Sequence, residues 1–228
     1  PLVQQEAIVE VLSSLDDKID LLKRQNKTLE GMAETLFRQW FIEEVQDDWE
    51  EVSIDQVGTF LNGLACQKHR PTTHGSLPVL KIRDLRNGLN EDSDRACANV
   101  DPKYIVEAGD LIFSWSGTLE VKIWDGARCI LNQHLFKVTS EDLPRWYLLL
   151  WCQHHLAQWR ATAEAHATTM GHIKRSDLKA AMVLVPSDYE LGKMDEKMEG
   201  ITARIDLNNA EMNSLVKQRD TLLPKLMS

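Results

Sequence analysis

The first forty residues carry apolar side chains at a spacing of seven. One series is Ile8, Leu15, Leu22, Leu29 and Leu36, and a second, four positions later, is Leu12, Ile19, Asn26, Ala33 and Trp40. Two such series share one face of a helix and are typical of a helix that packs lengthwise against another helix. We call these heptad positions the seam. The pattern predicts a long coiled-coil helix over residues 1–46.

A second copy of this pattern lies at the other end of the chain. A shift of 186 residues places "KIDL" at 18–21 on "RIDL" at 204–207. Similarity at one fixed offset over about thirty positions indicates a duplicated element, so we predict a second coiled-coil helix over 187–228. The residues predicted to pair the two helices are Leu12, Leu15, Ile19, Leu22, Asn26, Leu29 and Leu36 in the first copy, and Ile201, Ile205, Asn208, Met212, Leu215 and Leu222 in the second.

Two asparagines on the seam favour one orientation of the helix pair. In an antiparallel pair Asn26 lies opposite Asn208, whereas in a parallel pair each amide faces an apolar residue. Because an unpaired buried amide costs about 1–3 kcal/mol, we predict the antiparallel pair, with these asparagines fixing its register. Arg219 also falls on the seam and needs a partner or a solvated edge. The alternative is two amphipathic helices that pack separately on the middle of the chain.

Between the helices the pattern changes to short runs rich in β-branched and aromatic residues, which predict strands. These runs are 49–60, 77–82, 110–115, 121–131, 134–138 and 182–186. Asp125-Gly126 lies inside one run and predicts a two-residue hairpin turn. A helix is predicted over 143–163, and a loop running into a short helix over 166–178. The predicted fold class is α+β: one mixed domain over 47–186, flanked by two long helices that form an antiparallel coiled coil.

Charge is distributed unevenly along the 228 residues. The formal net charge is −9, yet residues 53–185 hold 15 Lys and Arg against 14 Asp and Glu, together with all seven histidines. The acidic excess lies in the two helical ends. Because phosphate contacts are local, the near-neutral middle permits nucleic-acid binding without requiring it.

The sequence contains no recognisable catalytic motif. It lacks glycine-rich nucleotide loops, the G-x-S-x-G elbow and the Asn-Pro-Pro-aromatic stretch of adenine methyltransferases. The four cysteines are too far apart for a paired metal site and are expected to be free thiols in a reducing cytoplasm. We expect no metal site, and no apolar run is long enough for a membrane span. Because the first residue is Pro1, we expect the sequence to begin inside a longer polypeptide.

Two basic segments offer side chains for phosphates or guanine edges. The candidate DNA-binding residues are Lys68, His69 and Arg70 in "CQKHRPTTHG", and Lys81, Arg83 and Arg86 in "KIRDLRNG". The alternative is a solvated basic face partly neutralised by Asp84, and the sequence does not separate the two.

Three further segments carry small polar side chains beside predicted strands. "SWSGT" follows a strand, and its glycine lets the backbone approach a ligand closely, while "NQH" supplies amides that suit the adenine edge. The candidate residues, with those of "TTMGHIK", are Ser114, Trp115, Ser116, Thr118, Asn132, Gln133, Thr168, Thr169, His172 and Lys174. Alternatively, Trp115 belongs to the core, and Asn132 and Gln133 satisfy buried backbone groups.

Taken together, these features resemble the specificity subunit of type I restriction–modification systems over essentially the whole chain. Residues 1–41 are similar to its central conserved region, and "RDTLLPKLMS" at 219–228 to its C-terminal ending. "WEEVSIDQVG", "LPVLKIRDL", "GDLIFSWSGT" and "NQHLFKV" are similar to a target-recognition domain. That subunit has two recognition domains and this chain has one, so the resemblance implies a C-terminal half or a natural half-subunit. The start of the second helix, "VPSDYELGKMDEKM", departs from the family's Pro-Pro-x-x-x-Gln entry.

The resemblance implies a DNA-recognition protein without catalysis of its own. It would read one half of a split double-stranded DNA target and dock methyltransferase subunits, which bind S-adenosylmethionine and methylate adenine. The restriction (translocase and nuclease) subunit would join this complex in the cytoplasm, with no membrane involved. A half-subunit could also form a homodimer. The alternative, from a different class, is a coiled-coil adaptor whose middle domain binds another protein.

Overall fold

The chain divides into two compact units. The computed structural model describes residues 2–71, 75–165 and 171–227, with backbone only for 2–8 and 224–227. The helical unit comprises Pro1–Val45 and Leu191–Ser228, and the sheet unit comprises Gln46–Glu190.

Helices dominate the two ends of the chain and strands its middle. The helices are α1 (Leu2–Arg38), α2 (Ile54–Val57), α3 (Ile82–Asn87), α4 (Arg145–Ala165), α5 (Arg175–Lys179) and α6 (Asp188–Met227). The strands are β1 (Glu50–Ser53), β2 (Thr59–Asn62), β3 (Ser76–Leu80), β4 (Arg95–Cys97), β5 (Ile105–Val106), β6 (Leu111–Ser114), β7 (Glu120–Ile123), β8 (Cys129–Leu131), β9 (Leu135–Thr139) and β10 (Met182–Val185). Over the described residues, none of the helices is both long and apolar enough to cross a membrane.

In the helical unit, the seam positions of α1 and α6 are shielded from solvent. Those that are buried are Ile19, Leu22, Asn26, Ala33 and Trp40 in the first copy, and Ile201 and Asn208 in the second. Those that are half-buried are Leu12, Leu15, Leu29, Leu36, Ile205, Met212, Leu215 and Leu222. Most of the residues between these positions are exposed, so burial follows the seven-residue period of the sequence.

Side-chain contacts show that α1 and α6 run antiparallel. In order along α1 and the π-helical turn that continues it (Gln39–Glu43), the contacts are Asp16 with Arg219 at 2.9 Å, Asn26 with Asn208 at 2.7 Å, and the Trp40 ring with the Lys197 ammonium at 5.7 Å. The residue number in α6 falls as the number in α1 rises. The predicted antiparallel coiled coil is therefore confirmed, and Arg219 has the partner that its seam position needs.

The seam asparagines form a buried polar layer. The Asn208 Nδ2 donates to the Asn26 Oδ1 at 2.7 Å, and the Asn26 Nδ2 donates to the Asn209 Oδ1 at 2.7 Å. A shift of one helix along the other would separate these groups inside an apolar seam, where an unpaired amide costs about 1–3 kcal/mol. The helix pair is therefore most stable in the register that places Asn26 opposite Asn208.

Within the described residues, the strands of the sheet unit form three sheets. β1 and β10 pair antiparallel, with Glu50 opposite Val185, so the two ends of the unit are joined. The first larger sheet has the order β2-β9-β6-β7 and is antiparallel. The second has the order β4-β3-β8-β5, in which β3 and β8 are parallel.

The two larger sheets contribute to one apolar core. Its buried members are Leu80, Leu85, Val106, Ile112, Trp124, Cys129, Leu131 and Leu135. Helix α4 packs against the first sheet, where the Trp159 ring stacks on Phe113 with 5.0 Å between centroids. Burial raises the pKa of the Cys129 thiol to about 12, so this core cysteine stays neutral at physiological pH.

The predicted hairpin at Asp125-Gly126 is wrong. β7 pairs with β6 in the first larger sheet, whereas β8 lies between β3 and β5 in the second. The physical reason lies at Trp124, whose indole is buried in the core and donates from Nε1 to the Ala127 carbonyl at 3.0 Å. This anchor carries the chain from one sheet to the other, where a hairpin would return it to the same sheet.

Two other predicted runs contain short helices. The run 49–60 is interrupted by α2, whose first turn begins where the Ser53 N–H donates to the Gln56 Oε1 at 3.0 Å. The run 77–82 ends early, because the Asp84 carboxylate accepts the Lys81 N–H at 3.2 Å and starts α3. Side-chain capping of this kind stops a strand as it starts a helix.

Candidate functional site

Polar segments meet where several strands of the sheet unit end. β2 ends at Asn62, β6 at Ser114 and β8 at Leu131. The segments that meet there, here called the strand-end site, are 62–64, 115–118, 132–134 and 171–175. Loops at strand ends carry side chains on a rigid scaffold, which is where binding residues are commonly found.

Backbone hydrogen bonds hold these segments together. The Gln133 N–H donates to the Leu64 carbonyl at 2.9 Å, and the Leu64 N–H donates to the Leu131 carbonyl at 2.9 Å. On the other side, the Gly117 N–H donates to the Gly171 carbonyl at 2.8 Å. The segments are therefore fixed relative to one another although they are far apart in sequence.

Gly63 makes the close approach of two of these segments possible. A Cβ atom at this position would lie 2.3 Å from the Asn132 carbonyl oxygen and 2.5 Å from its carbonyl carbon. Since both neighbours are backbone atoms, no side-chain rotation relieves the collision. Only glycine fits here, and the position of the 132–134 segment depends on it.

Trp115 lies between the core and the strand-end site. Its indole Nε1 donates to the Asn62 Oδ1 at 3.0 Å, and its ring stacks on Phe136 with 5.7 Å between centroids. The rings of His134 and His172 lie 6.0 and 6.4 Å away. One face of Trp115 thus belongs to the core, as one alternative from the sequence held, while the half-buried side chain keeps an accessible part.

A chain of side-chain hydrogen bonds crosses the site. The Asn132 Nδ2 donates to the Gln133 Oε1 at 2.8 Å, and the Gln133 Nε2 lies 3.4 Å from the His134 Nε2. The His134 Nδ1 in turn lies 3.1 Å from the Ser116 hydroxyl. Four polar residues from two loops are therefore connected.

Several of the predicted site residues point inward. Ser114 is 0% exposed, Ser116 4% and Asn132 2%. The Ser114 hydroxyl donates to the Thr118 carbonyl at 2.8 Å and so closes the turn that holds Gly117 at a φ of +65°. Because they are buried, these side chains support the loops and are not placed to contact a ligand.

Other predicted residues lie at the surface of the site. Thr118, His172 and Lys174 are exposed, and Gln133 is half-buried. The predicted residues Thr168 and Thr169 lie outside the described residues. These four surface residues combine one half-buried amide with an exposed imidazole, hydroxyl and ammonium, a set that suits hydrogen bonds to base edges and phosphates.

The second basic segment is largely neutralised by the protein itself. The ion pairs are Lys81 with Asp94, Arg83 with Asp84 at 3.4 Å, and Arg86 with Glu120 at 3.6 Å. The hydrogen bond from Lys81 holds the pKa of Asp94 below its usual value. These three cations therefore offer less positive charge to a phosphate than their number suggests, in line with the neutralised-face alternative.

The first basic segment is less compensated. Lys68 and Arg70 are exposed, and neither has a carboxylate partner among the described residues, while the His69 carbonyl accepts the Cys97 N–H at 2.9 Å. Burial raises the pKa of the Cys66 thiol, and a hydrogen bond with the Asn132 amide opposes part of that rise. The Cys66 thiol also donates to the Leu131 carbonyl, with 3.9 Å between the sulfur and the oxygen, and so connects the basic segment to the end of β8.

Three residues of the site were not predicted. Asn62 and His134 hold Trp115 and Gln133 in place, and the Arg175 guanidinium lies 5.0 Å from the Phe136 ring and donates to a backbone carbonyl. His134 directly follows the predicted residues Asn132 and Gln133, and its position next to them is the sequence feature that could have identified it. Asn62 and Arg175 belong to the site because they contact residues far away in sequence, and no local sequence pattern marks such contacts.

Comparison with known proteins gives the family. A model of the type I restriction modification DNA specificity domain matches residues 46–218. The MjaIX type I restriction enzyme specificity subunit of Methanocaldococcus jannaschii is 25% identical over 250 residues, which cover 98% of this chain and 58% of that protein. The EcoBI specificity subunit of Escherichia coli is 23% identical, covering 75% of this chain and 36% of that protein.

The fold is shared with a solved structure. The S subunit of a type I restriction–modification system from M. genitalium superposes with a TM-score of 0.62 at 14% identity, over 98% of this chain and 60% of that one. The chain thus spans about three-fifths of the length of this structure and of the M. jannaschii relative. Because the family model covers most of the sequence, the chain belongs to the family of type I restriction–modification DNA specificity domains.

Proposed function

We propose that the sheet unit reads a short base sequence in double-stranded DNA through the strand-end site. The observation that carries this proposal is the position of Gln133, a half-buried amide held among fixed loops in the strand-end site, whose 171–175 segment carries exposed His172 and Lys174. Amides read base edges in the major groove, and lysines bind phosphates. The chain supplies recognition and no catalytic step.

Local charge supports this proposal despite the acidic total. Lys68, Arg70 and Lys174 are exposed and have no carboxylate partner among the described residues. Since phosphate binding depends on the charge near the contact, these three uncompensated cations of the sheet unit can act although the chain carries −9. We therefore assign the phosphate contacts to these residues first, and to Lys81, Arg83 and Arg86 second.

The coiled coil would act as a spacer between recognition sites on a split target. Specificity subunits that resemble this chain are longer, so one recognition domain here would read one half of the target. Methyltransferase subunits, which carry S-adenosylmethionine, and the restriction subunit would assemble around the spacer in the cytoplasm. If the chain acts as a half-subunit, a homodimer would supply the second half.

Spacer length gives a direct test of this arrangement. Deleting one heptad from each helix keeps the seam in phase and shortens the rod by roughly 10 Å, or about three base pairs. In the assembled complex, we expect the gap between the two half-sites to shrink accordingly. An unchanged gap in a folded deletion variant contradicts the spacer role.

Salt dependence tests DNA binding by the sheet unit itself. Binding of the full chain to random-sequence duplex should weaken linearly on a logarithmic plot as salt rises from roughly 50 to 200 mM. The triple variant Lys68→Ala, Arg70→Ala, Lys174→Ala should reduce the slope of that plot by roughly three, one unit per lost phosphate contact. Lys103→Ala is the matched control, because Lys103 is exposed and already paired with Asp101 at 3.0 Å.

Two outcomes would contradict the proposal. If the wild-type chain binds no duplex at low salt, the adaptor alternative is favoured, and a protein partner must be sought. If the triple variant keeps the wild-type slope, the duplex is bound elsewhere on the chain.

A further inference from the structure

The hydrogen-bond chain across the strand-end site has a defined direction. The Gln133 Nε2 is a donor without acceptor capacity, so at 3.4 Å the His134 Nε2 must be its acceptor. A neutral imidazole that accepts at Nε2 carries its proton on Nδ1. The His134 Nδ1–H therefore donates to the Ser116 hydroxyl at 3.1 Å, and the tautomer of His134 is determined by its two partners.

The other end of the Gln133 amide is fixed as well. The Asn132 Nδ2 donates to the Gln133 Oε1 at 2.8 Å, and the Asn132 Oδ1 accepts the His134 backbone N–H at 3.4 Å. Asn132 is 2% exposed, so it has little room to rotate. With one neighbour on the oxygen and another on the nitrogen, the Gln133 amide is held in one of its two orientations.

The held amide keeps one hydrogen-bonding position of each kind free. A side-chain amide has two acceptor positions on its oxygen and two N–H donors. Asn132 uses one acceptor position and His134 uses one donor, which leaves one acceptor and one donor on Gln133. Adenine presents an N6 donor beside an N7 acceptor in the major groove, whereas guanine presents two acceptors, N7 and O6. The free pair on Gln133 matches adenine and opposes guanine.

We propose that Gln133 reads an adenine at one position of the half-site, and that His134 is the positioning residue that keeps the Gln133 amide in the orientation this requires. This inference rests on the proposed function. Without the His134 acceptor, the Asn132 donor alone orients the amide, and the reverse order of donor and acceptor becomes easier to reach. Discrimination for adenine at that position would then fall while the remaining contacts persist.

Selection from a random duplex pool tests the roles of both residues. The wild-type chain should enrich adenine at a position where Gln133→Ala shows no preference. His134→Leu removes the acceptor and should weaken the preference at the same position, whereas His134→Gln restores an acceptor and should rescue it. Gln153→Ala, which removes the same amide from an exposed position of α4, is the control and should keep the full preference. Thermal unfolding of each variant identifies any that fail to fold.

A modified base makes the test independent of folding. Replacing the selected adenine by 7-deazaadenine removes the N7 acceptor and leaves the N6 donor in place. The affinity of the wild-type chain should fall roughly tenfold, within the range for a bidentate base contact, and that of Gln133→Ala should not change.

The outcomes separate this inference from the proposed function. If the wild-type chain binds no duplex, the proposed function fails, and this inference fails with it. If it binds but tolerates 7-deazaadenine at every adenine, or if Gln133→Ala stays sensitive to it, DNA reading stands and the assignment of Gln133 is wrong. If His134→Leu keeps the full adenine preference, the positioning role is wrong.

Discussion

In the helical unit, Asn26 and Asn208 bond to each other across two helices, whereas in the sheet unit Asn132 bonds to the residue that follows it. All three amides are buried. In the first case the bond ties the register of two long elements to an apolar seam. In the second, the bond from Asn132 orients the side chain of Gln133, which lies at the surface of the strand-end site. Buried amides can thus serve assembly in one unit and recognition in the other.

The two units also differ in how much change they tolerate. Positions of the helix pair outside the seam are open, and a Cβ atom at Gly31 would meet nothing within 4 Å. At Gly63 in the sheet unit, a Cβ would collide with backbone at 2.3 Å. In the helix pair, the free energy of packing comes from many repeated contacts along the seam. The strand-end site depends instead on a few close approaches between backbone segments.

The largest expected effect is therefore a contrast between two equivalent substitutions. Gly63→Ala should lower the free energy of unfolding by about 1–3 kcal/mol, because it overpacks against the Asn132 backbone, and should abolish sequence discrimination. Gly31→Ala should raise it by about 0.4–1 kcal/mol, because alanine restricts the unfolded chain and favours the helix. Urea unfolding measures both. Equal effects of the two substitutions would remove the contrast.

The next effect concerns the polar layer of the helix pair. Asn26→Leu alone should destabilise the protein by about 1–3 kcal/mol, because it leaves the Asn208 amide buried without its partner. The double variant Asn26→Leu, Asn208→Leu should recover that stability and loosen the register, which cysteine cross-linking between the helices can detect. A double variant as unstable as the single one, with an unshifted register, contradicts the role of the layer.

A smaller effect should appear in the pH dependence of the sheet unit. The His155 Nε2 donates to the Met182 carbonyl at 2.8 Å, and its ring stacks on Trp151. Burial lowers the pKa of His155 below the ordinary value, as it does for His154, so the unfolded chain takes up the proton more readily. Stability is thus complete above the ordinary histidine pKa and falls as the pH drops through it.

His155→Gln should reduce this acid sensitivity, since an amide can donate to the same carbonyl without titrating. Unfolding free energies measured at pH 7.5 and 5.5 should differ less in this variant than in the wild type. His172→Gln, at an exposed histidine, provides the comparison and should retain the wild-type difference. If both variants keep that difference, His155 is not its source.

The smallest expected effect is at the edge of the coiled coil. Asp16 pairs with Arg219 at 2.9 Å, and both side chains are partly exposed. Solvent-exposed ion pairs contribute little, so Asp16→Asn should lower stability by no more than about 0.5 kcal/mol. A loss as large as that of Asn26→Leu would mean that ion pairs, and not the polar layer, hold the register.

The helical unit could be predicted from the sequence because its contacts repeat. Seven-residue spacing places the seam, and the positions of Asn26 and Asn208 within it are enough to choose the orientation. Helix α4 was also predicted, and it begins and ends two residues later than expected. In each case the information lies within one periodic segment.

The sheet unit could be predicted only in part because its pairings are not periodic. Strands β4 and β5 have three and two residues, too short to show alternation. The hairpin prediction failed because Trp124 anchors a crossing between sheets, which no local turn signal reports. In the site, the polar character of Thr118, His172 and Lys174 is enough to predict that they lie at the surface. The role of His134 depends on its contact with Ser116, eighteen positions away, and could not be predicted in this way.

The central claim is that the sheet unit selects the base sequence of one half-site. Mapping methylated adenines in cells that carry the complete system tests it most directly, with the wild-type chain compared against Gln133→Ala. We predict that the variant relaxes the motif at one position of each half-site that this chain reads, which is both halves in a homodimer, and leaves the spacing unchanged. An identical motif in both strains, or a change in the half-site that this chain does not read, would contradict the account.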